Sequence, residues 1–304
     1  RSMQESPIGT PRGIRIHPSA TVHPGAILVG DVDVGPGCTI GPGCLVLGTT
    51  GPVSIGADCT LIANATLNGP IVLGSGNVVY PNTCLGFSPQ DLGFDASKGG
   101  SGCIIGDRNV FREGATVHRG KTADPTRIGS GTYWMAGSHL GHDGMVGDGC
   151  TIGAGSVLGG HVHLERDVTV GAMCAVHQFA RAGHGAVLTD TAGFTTGLPP
   201  WFVCTSINAA TDINLDGLRG AGATERMVAS VQWVYDALYR ADRTPQQAIP
   251  SLEERREDAV VADYLRFLSL ATRGICHGAG RPNRDDRPHA PHASGDLTAN
   301  TLTA

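Results

Sequence analysis

The sequence predicts a mainly β protein, a single-stranded parallel β-helix built from hexapeptide coils and followed by a small C-terminal α-helical domain. Three observations predict it. Aliphatic residues recur at every sixth position: Ile16, Val22, Leu28, Val34, Ile40 and Val46; after a three-residue slip, Ile55, Leu61, Leu67, Leu73, Val79 and Leu85; and later Val146, Ile152, Leu158, Leu164, Val170 and Val176. Glycine follows the aliphatic residue in Val34-Gly35, Ile40-Gly41, Ile55-Gly56, Ile105-Gly106, Ile128-Gly129, Val146-Gly147 and Ile152-Gly153, so many of the 45 glycines mark turns at fixed phase. The period ends at Pro199-Pro200, after which apolar residues take helical spacing.

Taken in order, the segment from Arg1 to Gly13 has no apolar run and reads as a leader outside the fold. A triangular coil needs three short strands, so coils begin near Ile16, Val34, Ile55, Leu73, Ile105, Ile128, Val146, Leu164 and Ala182, over residues 14–200. Each coil stacks about 4.8 Å above the last, the spacing of paired strands. Two stretches break the period: Gly86 to Ile104 reads as a protruding loop and Lys121 to Arg127 as a shorter excursion. Loops on a rigid repeat scaffold are where ligands are usually held. Residues 201–277 form the helical domain, with helices over Thr224 to Ala241, from Thr244 with Pro245 in its first turn, and over Asp258 to Ala271. Residues 278–304 lack periodicity and read as a disordered tail.

Composition excludes several classes. With a net charge of −5 and no basic run, the chain is no nucleic-acid binder. No apolar stretch reaches the roughly 18 residues of a membrane span. The nine cysteines contain no CxxC pair, and Cys38, Cys44, Cys59, Cys150 and Cys174 fall at the fifth place of their hexapeptides, where a small residue packs inward. They read as buried hydrophobes in a reducing cytosol.

Phasing the coils puts His118, His142, His161 and His177 on the third strand of four successive coils, within a strip about 15 Å tall, with His139 at the corner before it. His17, His23 and His163 read as ordinary structural or solvated residues. Imidazole titrates near neutral pH and suits general-base work on a hydroxyl; in His142-Asp143 a carboxylate follows to fix its tautomer. Three histidines on neighbouring coils equally suit zinc, which leaves a metal-dependent hydratase open.

Gly137-Ser-His139-Leu-Gly-His142-Asp143-Gly-Met-Val-Gly-Asp148, Leu158-Gly-Gly160-His161-Val and Gly171-Ala-Met-Cys-Ala-Val-His177-Gln178-Phe179 closely resemble the acyl-ACP:UDP-N-acetylglucosamine O-acyltransferases (ACP, acyl carrier protein) that begin lipid A assembly. Gly106-Asp-Arg-Asn109, Thr116-Val-His118-Arg119-Gly120, Pro89-Gln-Asp91-Leu92, Asp212-Ile-Asn214-Leu-Asp-Gly217-Leu218 and Thr272-Arg-Gly274 add to the resemblance, in order from about Ile14 to Cys276. The resemblance implies a cytoplasmic homotrimer of left-handed β-helices with sites between subunits, needing no cofactor beyond acyl-ACP as co-substrate. It implies that His142 is the general base toward the sugar 3-hydroxyl, that Asp143 orients it, and that the Gly160 N–H receives the oxyanion. Asp91, His118, His139, His161, His177, Gln178 and Asn214 are implied to hold the sugar nucleotide and shape the acyl pocket, although Asn214 also suits a helix cap.

Three departures bear on substrate. Gly93 stands where the family has a basic residue after the QDL sequence, and Gly220 and Ala221 follow Arg219 where it has a basic pair; these cations are expected to engage phosphate, with Lys98 or Arg219 as possible replacements. Asp190 stands at the acyl-length ruler, and a carboxylate facing a hydrocarbon tail is costly to desolvate; it predicts a shorter acyl chain or a polar donor. The function expected is transfer of a 3-hydroxyacyl group from acyl carrier protein to the 3-hydroxyl of UDP-N-acetylglucosamine, with another nucleotide amino sugar or acyl-CoA as the alternative. A zinc hydratase of this fold and a non-catalytic sugar-nucleotide scaffold are the other classes. Arg226, Arg240, Arg243 and Arg266 are carrier-docking candidates on the helical domain, where most arginines are ordinary solvated residues.

Overall fold

The computed structural model describes residues 13–240 and 244–278. Residues 1–12 of the expected leader, the expected tail from residue 279 onward, and Ala241 and Arg243 lie outside the described residues.

Three parallel ladders run the length of the β-helix, and each is made of the residues that the period of six singles out. The first pairs Ile16, Val34, Ile55, Leu73, Ile105, Ile128, Val146, Leu164, Ala182 and Leu198 in direct register. The second runs from Val22 and Ile40 through Phe111, Trp134 and Ile152 to Leu188 and Cys204. The third runs from Leu28 through Val117, Leu140, Leu158 and Val176 to Phe194. Most strands are only two or three residues long. Their stability comes from the inward column of aliphatic and aromatic side chains, nearly all buried above the first coil, each worth about 1.5–3 kcal/mol on full burial. Cys38, Cys44, Cys59, Cys150 and Cys174 are buried at the corners, and all nine cysteines are free. Asn77 and Asn109 occupy the same kind of corner, and their amides bond backbone of neighbouring turns, so these buried polar groups are satisfied.

Most corners above the first coil turn through one residue of positive φ. Glycine serves at 37, 76, 131, 149 and 185, but Asp143, His161 and Phe179 take that conformation at one corner of three successive coils. Left-handed backbone is unfavourable for such residues, so an aromatic or histidine there calls for another reason.

The second ladder continues past Pro199-Pro200 to Cys204, and its last strand, Phe202–Ser206, turns back antiparallel against Ala209–Ile213. Helical spacing gave no sign of this hairpin. The helices follow: α1, Leu215–Gly220; α2, Glu225–Tyr235, continued by a π-helical turn over Asp236–Arg240; α3, Pro245–Glu253; and α4, Ala259–Leu270. Thr224, Thr244 and Asp258 cap α2, α3 and α4 through side-chain oxygens. Glu165 and Arg266 tie α4 to the β-helix by a two-pronged ion pair at 2.9 and 3.2 Å.

Candidate active site

The two breaks in the period meet. Arg119 lies 1 % exposed with no carboxylate partner among the described residues; its guanidinium donates to the carbonyls of Gly86 (3.2 Å), Ala96 (3.2 Å) and Lys98 (2.8 Å), pinning both limbs of the longer loop. Ser101 Oγ of that loop donates to the Asp124 carbonyl of the shorter excursion at 2.7 Å. Across the same junction the Lys121 ammonium pairs with Asp91, whose other oxygen accepts the Gly93 N–H at 2.8 Å. Lys121 holds the Asp91 carboxyl below the usual carboxylate range, the Gly93 N–H helps, and His142 contributes a smaller pull.

The shorter excursion also builds the centre of the site. His142 Nδ1 lies 2.6 Å from Asp143 Oδ2. Asp143 Oδ1 accepts from the Lys121 N–H (3.0 Å), the Thr122 N–H (2.9 Å) and the Thr122 hydroxyl (2.7 Å), while the Asp143 N–H donates to Thr126 Oγ1 at 2.8 Å. Burial alone would raise the Asp143 pKa, but these hydrogen bonds, led by that to His142, leave it below the ordinary value. An ionised carboxylate only accepts, so the proton between the two sits on His142 Nδ1. Nε2 then carries the lone pair, and no side chain or backbone group among the described residues bonds it.

Around this pair the rings are uncharged. His161 Nε2 is 3.6 Å from Asp143 Oδ2, and the ring packs edge-on against His142 at 5.2 Å between centroids. Burial pushes the His161 pKa down more than Asp143 raises it. Phe179 stacks on a face of His161 at 4.4 Å and 10°. His139 bonds Thr116 Oγ1 at 2.8 Å and meets His118 edge-on at 4.7 Å; burial lowers both, His118 to about 4, with the neighbouring His139, His142 and Arg119 adding to it. His118 Nδ1 is buried without a partner among the described residues.

Gly160 faces His142 closely. A Cβ there would lie 2.9 Å from His142 Nε2 and 3.0 Å from Cε1, and the Gly160 N–H donates to no group among the described residues. The arrangement therefore presents a basic nitrogen and a free backbone N–H within one small space, what a proton abstraction coupled to oxyanion stabilisation needs.

The remaining expected residues divide. Because strands are so short, only His118 lies on its strand; His142 and His161 lie on the corner after the third strand, His177 falls just past its strand, and His139, expected at a corner, lies on the strand. His177 and Gln178 are exposed on the next coil, His177 Nδ1 lying 3.0 Å from the Gln178 carbonyl. Asn214 caps α1, accepting from the Gly217 N–H at 3.0 Å and donating to the Gly185 carbonyl at 2.9 Å, so its amide serves the fold. Asp190 is exposed at a different corner, the one after the second ladder, with Oδ1 accepting the Ala172 N–H at 2.8 Å. Gly220 and Ala221 end α1 in the open, Arg219 lies 3.8 Å from Glu225, and Lys98 lies 3.8 Å from Asp95. Arg266 is engaged with Glu165 and Asp263, Arg240 with Asp236, and Arg226 is exposed.

His142, Asp143 and His161 bring three possible metal ligands within 4.8 Å of one another. Ligation by His142 Nδ1 would sacrifice the 2.6 Å bond that fixes the dyad, whereas ligation by Nε2 would keep that bond and occupy the nitrogen a general base needs, so the two uses of this ring exclude each other. Residue reading missed Lys121, Thr122, Thr126 and Phe179. The signal available for the first three was their place in a break of the period; for Phe179 it was an aromatic at a glycine-type corner.

A family model for the bacterial transferase hexapeptide, six repeats, matches residues 13–48 and 125–160, and the second-domain model of the UDP N-acetylglucosamine O-acyltransferases matches residues 198–276. The repeat is that of the left-handed parallel β-helix. The chain is 35 % identical over 217 residues, 69 % of its length and 82 % of the relative's, to an acyl-acyl-carrier-protein–UDP-N-acetylglucosamine O-acyltransferase of Anaeromyxobacter sp.. Among solved structures it is similar to the Francisella novicida UDP-N-acetylglucosamine acyltransferase (28 % identity, TM-score 0.76, covering 88 % of this chain and 95 % of that one). The Arabidopsis UDP-N-acetylglucosamine acyltransferase is also similar (27 %, TM-score 0.71, covering 86 % and 100 %).

Proposed function

The chain belongs to the acyl-ACP–UDP-N-acetylglucosamine O-acyltransferase family, and from that membership we propose that it is an acyltransferase moving a 3-hydroxyacyl group from acyl carrier protein to the 3-hydroxyl of UDP-N-acetylglucosamine. The observation that carries the mechanism is the His142–Asp143 dyad, with Nε2 unpartnered and the Gly160 N–H beside it. His142 Nε2 takes the proton of the 3-hydroxyl as that oxygen attacks the thioester carbonyl carbon. Asp143 holds the tautomer and stabilises the imidazolium. The Gly160 N–H receives the developing oxyanion, worth about 3 to 4 kcal/mol of barrier. The intermediate then breaks its C–S bond, and the imidazolium returns the proton to the carrier thiolate, giving a sugar ester and a free carrier thiol. No covalent enzyme intermediate and no cofactor enters this route.

Asp91, His161, His177 and Gln178 hold the sugar nucleotide in this proposal, while Asn214, its amide engaged with Gly217 and Gly185, supports the fold; neutral His118 and His139 line the acyl pocket, where a charged ring would be costly. The working form is a homotrimer with sites between subunits, acting in the cytoplasm, where nine free cysteines suit a reducing compartment. No helix among the described residues is long and apolar enough to cross a membrane.

The test crosses nucleotide sugars with ACP- and CoA-linked donors and identifies products by mass spectrometry. A 3-O-acyl product from UDP-N-acetylglucosamine and an ACP donor is expected. Transfer only to another sugar, hydration chemistry abolished by chelators, or tight ligand binding without any transfer would each overturn the reading.

A further inference from the structure

We propose that Lys121 supplies the phosphate-binding cation of this site, in place of the basic residue missing at Gly93; the assignment rests on the acyltransferase reading and names the residue that engages its sugar-diphosphate substrate. In sequence Lys121 stands far from Gly93, in the other break of the period. In the fold the two breaks interlock, and the Lys121 ammonium meets the Asp91 carboxylate whose second oxygen is bonded to the Gly93 N–H. The positive charge thus stands next to the vacancy left by Gly93.

It is also tied to the reacting groups. The Lys121 N–H bonds Asp143 Oδ1 at 3.0 Å, fixing the residue's backbone to the dyad. Its charge acts on the His161 ring, and its partner Asp91 lies within the field of His142. The two other candidate cations are placed elsewhere. Lys98 is widely exposed and 3.8 Å from Asp95 on the outer turn of its own loop, and Arg219 sits on α1 opposite Glu225. Lys121 is the better placed, its side chain 37 % exposed, so an incoming ligand can reach it.

The chemistry follows from the pair. Without a cation, the Asp91 carboxylate would repel a diphosphate. With Lys121 on it, the pair presents a neutralised acid and a movable point charge. An ammonium on a flexible stem can exchange one oxyanion for another, here a carboxylate oxygen for a non-bridging phosphate oxygen. Asp91 is then released to accept from a hydroxyl or amide N–H of the same ligand.

K121M, which keeps the apolar stem and the backbone N–H, separates this role from the dyad's support. We expect its KM for UDP-N-acetylglucosamine and the dissociation constant of UDP to rise together by about tenfold to a hundredfold. The kcat, the KM for acyl-ACP and the melting temperature should stay near those of the unsubstituted protein. K121R should recover most of the UDP affinity, and K98A should leave it unchanged. UDP affinity within twofold of the original in K121M would overturn the assignment, as would a fall in kcat with nucleotide binding intact, which would make Lys121 a positioning residue for Asp143. Calorimetric UDP binding needs no turnover, so a protein that binds UDP through Lys121 yet transfers no acyl group would refute the acyltransferase reading alone.

Discussion

Replacing Gly160 by Ala should cut acyl transfer about 100-fold while leaving the fold intact. The backbone of Gly160 does not occupy the left-handed region, so alanine is conformationally acceptable there. The obstacle is the imidazole. The new Cβ would lie 2.9, 3.0 and 3.3 Å from Nε2, Cε1 and Cδ2 of His142, whereas carbon contacts are comfortable at about 3.5–4.0 Å. The ring must therefore retreat by roughly 0.5–1 Å, and the 2.6 Å bond to Asp143 lets it do so only by bending away from that partner. Misplacing a reacting group by about 1 Å costs on the order of 10² in rate, or about 2.7 kcal/mol. Because alanine keeps its N–H, the loss would report the position of the base and not the removal of an oxyanion donor. The assay is steady-state transfer alongside thermal melting: kcat should drop with melting within a degree or two. A G160A protein with unchanged kcat would refute the reasoning, since it would show that His142 does not work from where it stands.

Further outcomes follow from the same geometry. D143N should lower kcat by roughly 10³ to 10⁴, because an asparagine amide can donate to Nδ1 and drive the ring proton onto Nε2, where the base is needed; a loss under tenfold would contradict the assigned tautomer. His118, His139, His161 and His163 all have folded pKa values below the ordinary 6.5, so the unfolded chain takes up protons first and stability falls as pH drops below 6.5, for His118 down to about 4. Urea unfolding of H118Q should show a shallower slope than the parent across that window; parallel slopes would mean His118 is charged in the folded state. Asp190 stands exposed at another corner of the coil, and the ruler role that the resemblance gives it in the proposed trimer should restrict the donor to short or polar acyl groups. D190G should then shift preference toward longer ones, and an original protein that works best with long acyl chains would remove Asp190 from that role.

Much of this was legible because a period of six leaves one residue in each block with no freedom. Val34, Ile55 and their successors point inward and are buried, whereas Ile16 on the end coil stays exposed; these coil starts set the register of all that follow. The same logic marked Gly86 to Ile104 and Lys121 to Arg127 as breaks. It gave no view of how the breaks meet, because the contact of Asp91 with Lys121, and of Thr122 with Asp143, joins segments that no local pattern relates. His142 with Asp143 was visible as adjacent residues, but that they touch depends on the left-handed backbone at Asp143 and on three donors from the excursion. Phe179 was hidden in the matching turn two coils on, where its ring rests on His161. After Pro200 the helical spacing located α2, α3 and α4, while the hairpin of Phe202–Ser206 with Ala209–Ile213 was missed because its alternation is too short to stand out.

The most direct test of the account is single-turnover acyl transfer to UDP-N-acetylglucosamine by H142A, beside the original protein and in the presence of a chelator. The account predicts a loss of roughly 10² to 10⁴ in the chemical step, with UDP binding and oligomeric state unchanged and the original protein indifferent to the chelator. Transfer by H142A at the original rate would contradict it.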